Sequence, residues 1–118
     1  MPAMERFYIS TAIDYPNGAP HIGHAYEKIV TDAHARWQRL MGKETYFLTG
    51  TDENGQKLQE SAKLEGKETI DFVDENVALF HKFCNDLNIS FDDFIRTTEE
   101  RHKKVACDFW KRLEVKGD

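Results

Sequence analysis

The sequence predicts an α/β protein built on a parallel sheet flanked by helices. Three observations carry that prediction. Short runs rich in β-branched and aromatic residues alternate with segments whose apolar residues recur every three or four positions. The first two runs are each followed by turn formers, "DYPNGAP" and "TDENG". Each of those loops leads directly into a helical segment.

In chain order, "RFYISTAI" supplies a strand over Phe7 to Thr11. After the Gly/Pro loop, Ile22, Ala25 or Tyr26, Ile29, Ala33, Trp37 and Leu40 keep the spacing of one helix face. Gly42 stands where a left-handed cap would close that helix. "ETYFLTG" reads as a second strand bounded by Gly50, and "QKLQESAKLEG" as a short helix closed by Gly66. Thr69 is placed to cap a longer helix whose apolar face is Val73, Val77, Phe80, Cys84 and Leu87. "NIS" breaks it, and "FDDFIRT" offers a third strand. Thr97 and Glu100 fit a capping box for a last helix carrying Val105, Phe109 and Leu113. There is no internal repeat and no low-complexity tract.

Bulk properties narrow the function classes. A chain of 118 residues suits one small domain, residues 1–118, able to bury a core without staples. The net charge of −5, with both signs mixed, argues against wrapping nucleic acid or lipid by bulk electrostatics. Cys84 and Cys107 form no CxxC pair, which argues against a zinc knuckle; they read as helical core thiols in a reducing compartment. No apolar run reaches the ~18 residues of a membrane span. "MPAMERFYIS" lacks the apolar core of a secretory signal, so the expected location is cytoplasmic. Trp37 and Trp110 read as core or edge packing. His34, His81 and His102 read as partly solvated helical residues.

In parallel sheets with crossover helices, ligands bind beyond the carboxyl ends of the strands. Both Gly-rich loops follow strands, so they converge on that edge. The first holds "PHIGH": His21 and His24 around Gly23, at the start of a helix. A helix amino end exposes unpaired N–H groups and the positive end of its dipole, and each imidazole can add a donor to a phosphate oxygen. Gly23 leaves room for a flat ring to pack close to the backbone. Two other readings compete. Histidines at i, i+3 can share a metal ion, for which Asp14 and Asp52 are the only nearby further ligands. An ordinary helix start with capping histidines also fits, since HxxH is a short pattern.

The motifs taken together are more specific. "TAIDYPNGAPHIGHAYEKIVTDAHARWQRLMG", "YFLTGTDENGQK" and "DDFIRTTEERHKK" stand in order, and the chain from Phe7 onward resembles the class I aminoacyl-tRNA synthetases of the methionyl type. That resemblance implies the first half of a Rossmann-type (HUP) catalytic domain. It implies ATP-dependent activation of methionine to methionyl-adenylate, with ATP used as its Mg2+ complex, and transfer of methionine to tRNA(Met). It further implies that His21 and His24 contact the ATP phosphates and act catalytically, and that Gly23 lets the adenine pack against the loop. Asp52 would bind the methionine ammonium; Ile13 and Tyr15 would shape its side-chain pocket. No metal site is implied within the chain.

The chemistry is consistent with those roles. Adenylate formation places a carboxylate in line with the α-phosphate while pyrophosphate gains charge, so positioning and electrostatic stabilisation are most of what the protein supplies. A carboxylate suits an ammonium, and an apolar, polarizable pocket suits a thioether. Two departures from the family pattern stand out. "TDENG" has Asn54 where the family usually has histidine, and asparagine cannot become cationic. No "KMSKS" loop, the second signature, occurs in the sequence. The chain is therefore expected to be a partial catalytic domain, not fully active alone, whose partner is the missing C-terminal half. Two alternatives remain open: another class I synthetase or nucleotidyltransferase, and a non-catalytic half-domain that needs a second chain.

Overall fold

The computed structural model describes residues 4–117; residues 1–3 and 118, the ends of the expected domain, lie outside the described residues. The order is β1 (Arg6–Ser10), α1 (Ile22–Leu40), β2 (Glu44–Thr51), α2 (Gln56–Leu64), α3 (Thr69–Asp86), β3 (Asp93–Arg96) and α4 (Glu100–Lys116). The three strands form one parallel sheet in the order β1-β2-β3. Phe7 lies opposite Thr45 and Ser10 opposite Leu48, while Leu48 continues to Asp93 and Thr51 to Arg96. Parallel pairing requires crossovers, which α1 supplies between β1 and β2, and α2 with α3 between β2 and β3. This is the expected α/β, Rossmann-like fragment. Gly42 (φ +82°) and Gly66 (φ +68°) adopt the left-handed conformation just past α1 and α2, as their positions predict.

The core lies where α2 and α3 meet the sheet: Leu58, Ala62, Phe72, Val73, Val77, Phe80 and Phe94, with Phe91 packed against them. The predicted apolar face of α3 is therefore correct for Val73, Val77, Phe80 and Cys84, all buried. Gly50 sits where β2 meets β3, and a Cβ there would fall 2.0 Å from the Ile95 carbonyl oxygen. Only glycine lets the two strands approach so closely.

Helix α1 is oriented differently from what its apolar periodicity suggests. Its buried residues are Lys28, Asp32 and Ala35, whereas Ile22, Tyr26, Ile29, Trp37 and Leu40 are exposed. The charged face can turn inward because its charges are paired. Lys28 meets Asp14 at 2.5 Å. Asp32 accepts hydrogen bonds from the Ser90 amide and hydroxyl (2.7 and 2.5 Å) and from Arg36 Nε (2.7 Å), tying α1 to the segment after α3. Burial alone would push the Asp32 carboxyl up, but these donors outweigh it and hold the group below the usual carboxylate range.

Further sequence expectations are corrected. Thr69 is the first residue of α3 and Glu68 occupies the cap, with no side-chain capping bond. Thr97 and Glu100 form no capping box; Glu99 is the cap of α4, and the Thr97 hydroxyl is engaged elsewhere. Helix α4 has no buried residue, so Val105, Phe109 and Trp110 are exposed, as is Cys107. Trp37 and Trp110 are thus not core residues, and of the two thiols only Cys84 is. Among the described residues no helix is long and apolar enough to cross a membrane.

Candidate active site at the strand-to-helix corners

The three strands end on the same side, and backbone hydrogen bonds lace their corners together. Asp14 N donates to Gly50 O (3.0 Å), Asp52 N to Asp14 O (2.9 Å), and Thr97 N to Thr51 O (3.2 Å). The "PNGAPHIGH" and "TDENG" corners are adjacent for this reason, as the sheet order requires.

The first corner is closed by a reciprocal pair of histidines. His21 caps α1, and its Nδ1 accepts the Gly23 amide at 3.0 Å. His24 Nδ1 accepts the His21 amide at 3.0 Å. A nitrogen that accepts carries no proton, so both neutral rings hold theirs on Nε2. The two rings stack with centroids 3.8 Å apart, and His24 also meets the edge of Phe80 at 5.2 Å. The helix start therefore satisfies two of its own amides and presents two Nε2–H donors. A Cβ on Gly23 would lie 2.9 Å from His21 Cε1, so the space beside Gly23 is taken by the His21 ring.

Beneath His24 lies a buried polar chain that the sequence did not announce. Asp14 Oδ2 accepts from Lys28 Nζ, which also donates to Thr49 Oγ1 at 3.2 Å; Thr49 and Thr11 share a hydroxyl contact at 2.7 Å. Asp14 Oδ1 faces His24 Nε2 at 3.7 Å, an electrostatic contact beyond hydrogen-bond range. The signal available in the sequence was the i, i+4 spacing of His24 and Lys28. Asp14 figured there only as a possible metal ligand. Among the described residues no three or more His, Cys, Asp or Glu side chains are grouped to hold a metal ion.

At the second corner Asp52 is partly buried, and its Oδ1 accepts the Asn54 amide at 3.2 Å. Thr97 Oγ1 accepts from the Glu53 amide (2.8 Å) and from Asn54 Nδ2 (3.1 Å), so the end of β3 fixes this loop. The buried Glu53 carboxylate accepts from Arg96 (2.6 and 2.8 Å) and Thr98 (2.9 Å). Asn54, the departure from the family pattern, thus spends its side-chain donor on loop geometry. Tyr15 is exposed and lines a cavity of ≈ 340 Å³ with Asn17, Asn54, Gly55, Gln56, Lys57 and Leu58. Ile13, Asp52 and the two histidines are not part of that lining. The structure therefore brings His21 to His24, and Tyr15 to the Asn54 loop. It links the histidine corner to Asp52 through Asp14 rather than through a shared cavity.

Comparison with known proteins decides the family. The model for tRNA synthetases class I (M) matches residues 7–118. The chain belongs to this family. Among these class I synthetases, methionine–tRNA ligase of Rhizobium meliloti is 57% identical over 112 residues, covering 95% of this chain and 22% of the relative. That of Mycobacterium leprae is 50% identical over 115 residues, covering 98% and 21%. Mycobacterium tuberculosis methionyl-tRNA synthetase in complex with methionyl-adenylate superposes with a TM-score of 0.96 at 47% identity, over 98% of this chain and 23% of that one. The chain thus spans about 22% of the length of the curated relatives it matches.

The charge state of His24 is set by its surroundings. Burial lowers the His24 pKa most; Asp14 and Glu27 pull it up, while His21 and Lys28 push it down, and the net shift is downward. His81, an exposed residue of α3 whose ring centroid lies 4.1 Å from that of Phe94, is lowered too, by partial desolvation first and by the Arg96 charge second. Both groups bind protons more tightly when unfolded. Their stabilising contribution is complete above the unfolded value of about 6.5 and is lost as pH falls through the lower folded values. Denaturation midpoints are expected to fall between pH 7 and pH 5, and replacing His81 with phenylalanine should flatten that slope. An unchanged slope in that variant would contradict the assignment to His81.

Proposed function

We propose that the chain carries the HIGH half of the active site of a methionine–tRNA ligase. The reaction is activation of methionine by ATP, taken as its Mg2+ complex, to methionyl-adenylate, followed by transfer to tRNA(Met). The observation that carries this reading is the reciprocal His21/His24 cap. It leaves two neutral Nε2–H donors at the amino end of α1, one backbone hydrogen bond of Asp14 away from the Asp52 corner. The methionyl-adenylate held by the superposed Mycobacterium tuberculosis synthetase supports it.

In this reading His21 and His24 donate to phosphate oxygens whose charge rises as pyrophosphate departs, and the helix dipole adds to them. Gly23 keeps the His21 ring in place, and adenine packs against the same loop. Asp52 binds the substrate ammonium, with Ile13 and Tyr15 along the methionine side chain. The remaining length of the relatives supplies the rest of the site, and the chain alone is not fully active. The protein works in the cytoplasm.

The test is methionine-dependent ATP–pyrophosphate exchange with the chain extended to the length of its relatives. Asp52→Ala is expected to raise the methionine KM by ~10- to 100-fold, the scale of one charge-assisted hydrogen bond, with the ATP KM little changed. An unaltered methionine KM would remove Asp52 from the amine site. Exchange driven equally by other amino acids would remove methionine as the substrate.

A further inference from the structure

We propose that the buried Asp14–Lys28 ion pair is a positioning device for His24, in which Lys28 clamps the Asp14 carboxylate and Asp14, in electrostatic contact with the Nε2 edge, holds the imidazole in place without taking its hydrogen bond. This rests on the reading above that His24 serves the phosphates.

The geometry divides one carboxylate between two partners. His24 and Lys28 are four residues apart on α1 and therefore share a face. Asp14 lies against that face, with Oδ2 on Lys28 Nζ at 2.5 Å and Oδ1 toward His24 Nε2 at 3.7 Å. The Lys28 side chain is 0% exposed and that of Asp14 6%. Apolar residues at two such positions often cost no stability, so stability alone does not call for the pair. Lys28 is itself fixed by Thr49, and Thr49 by Thr11. The main chain of Asp14 bonds to Gly50 and Asp52, so the residue that faces His24 also sets the spacing between the two corners.

The pairing also solves an electrostatic problem. A lone carboxylate this close to His24 would repel an incoming triphosphate. Lys28 cancels that charge while leaving Oδ1 to orient the ring. The other groups that face His24 are the stacked His21 ring, Glu27 on the same helix and the uncharged Phe80 edge from α3.

The two partners pull His24 in opposite directions, and this separates positioning from simple support. The experiment is an NMR pH titration of the His24 imidazole in the chain. Asp14→Asn is expected to lower its titration midpoint below that of the unmodified chain, because an attractive charge is lost and Lys28 remains. Lys28→Met is expected to raise it. Loss of structure would instead move both variants up toward the free-histidine value of about 6.5. Should Asp14→Asn not fold, the double variant D14A/K28M reads the same downward sign, since Asp14 outweighs Lys28. A His24 midpoint that stays put or rises in the folded Asp14 variant or the double variant overturns the proposal. A second arm measures pyrophosphate exchange in the full-length enzyme. There Asp14→Asn should lower kcat by ~10-fold or more, as for lost orienting partners elsewhere, with the methionine KM unchanged. An unchanged kcat in an active enzyme overturns it too. If the unmodified enzyme shows no exchange, the synthetase reading falls, and the titration alone decides whether Asp14 governs His24.

Discussion

His24→Ala is expected to slow methionyl-adenylate formation by ~10²–10³, the scale of removing one donor aimed at developing charge. Two losses coincide in this variant. The Nε2–H donor disappears, and so does the Nδ1 that accepts the His21 amide at 3.0 Å. The second loss frays the helix start by about 1 kcal/mol. His24→Asn separates them, because an asparagine oxygen at the third helical position can still accept that amide. Both variants should be slow in pyrophosphate exchange, while only His24→Ala should melt earlier. Recovery of the rate by asparagine would show that the Nε2–H of His24 is not the donor the reaction needs.

Gly50→Ala is expected to have the largest effect on folding. Gly50 pairs with Ile95 across β2 and β3, and an added methyl would lie 2.0 Å from the Ile95 carbonyl oxygen and 2.6 Å from its Cγ2. The nearer obstacle is backbone, so no rotamer change relieves it. Strand β3 must move away. Its end holds the Asp52–Asn54 loop through Thr97, so the clash is carried into the proposed amine site. The cost should reach at least ~3 kcal/mol, the upper end of ordinary overpacking, and appear as a lower urea midpoint. An unchanged midpoint would mean that β2 and β3 do not meet at this register.

The contrast between α3 and α1 shows what periodicity can and cannot reveal. On α3 the regular apolar face is the buried one, because Phe80 and Val77 meet α2 and the sheet within the described residues. On α1 the same rule finds a real stripe, Ile22 to Leu40, but that stripe is exposed. Spacing identifies two faces of a helix; which one is covered depends on the neighbours present. The opposite face holds Lys28 and Asp32, whose partners lie 14 residues before one and 58 after the other. No local pattern announces such pairs.

The site was legible in the same uneven way. A strand, a Gly/Pro corner and HIGH at a helix start placed the histidines correctly, because each is a short-range signal. Their reciprocal bonds follow from the i, i+3 spacing. Thr97 misled because T-x-x-E also satisfies a local capping rule. In the fold its hydroxyl is claimed by Glu53 and Asn54, more than forty positions earlier.

The proposal that one ligand spans both corners is most directly examined by NMR of the full-length protein, with labelled histidine and aspartate, titrated with a non-hydrolysable methionyl-adenylate analogue. Side-chain signals of His21, His24 and Asp52 should shift together at one saturating concentration. Movement of the Asp52 signal while both histidines stay unperturbed would contradict it.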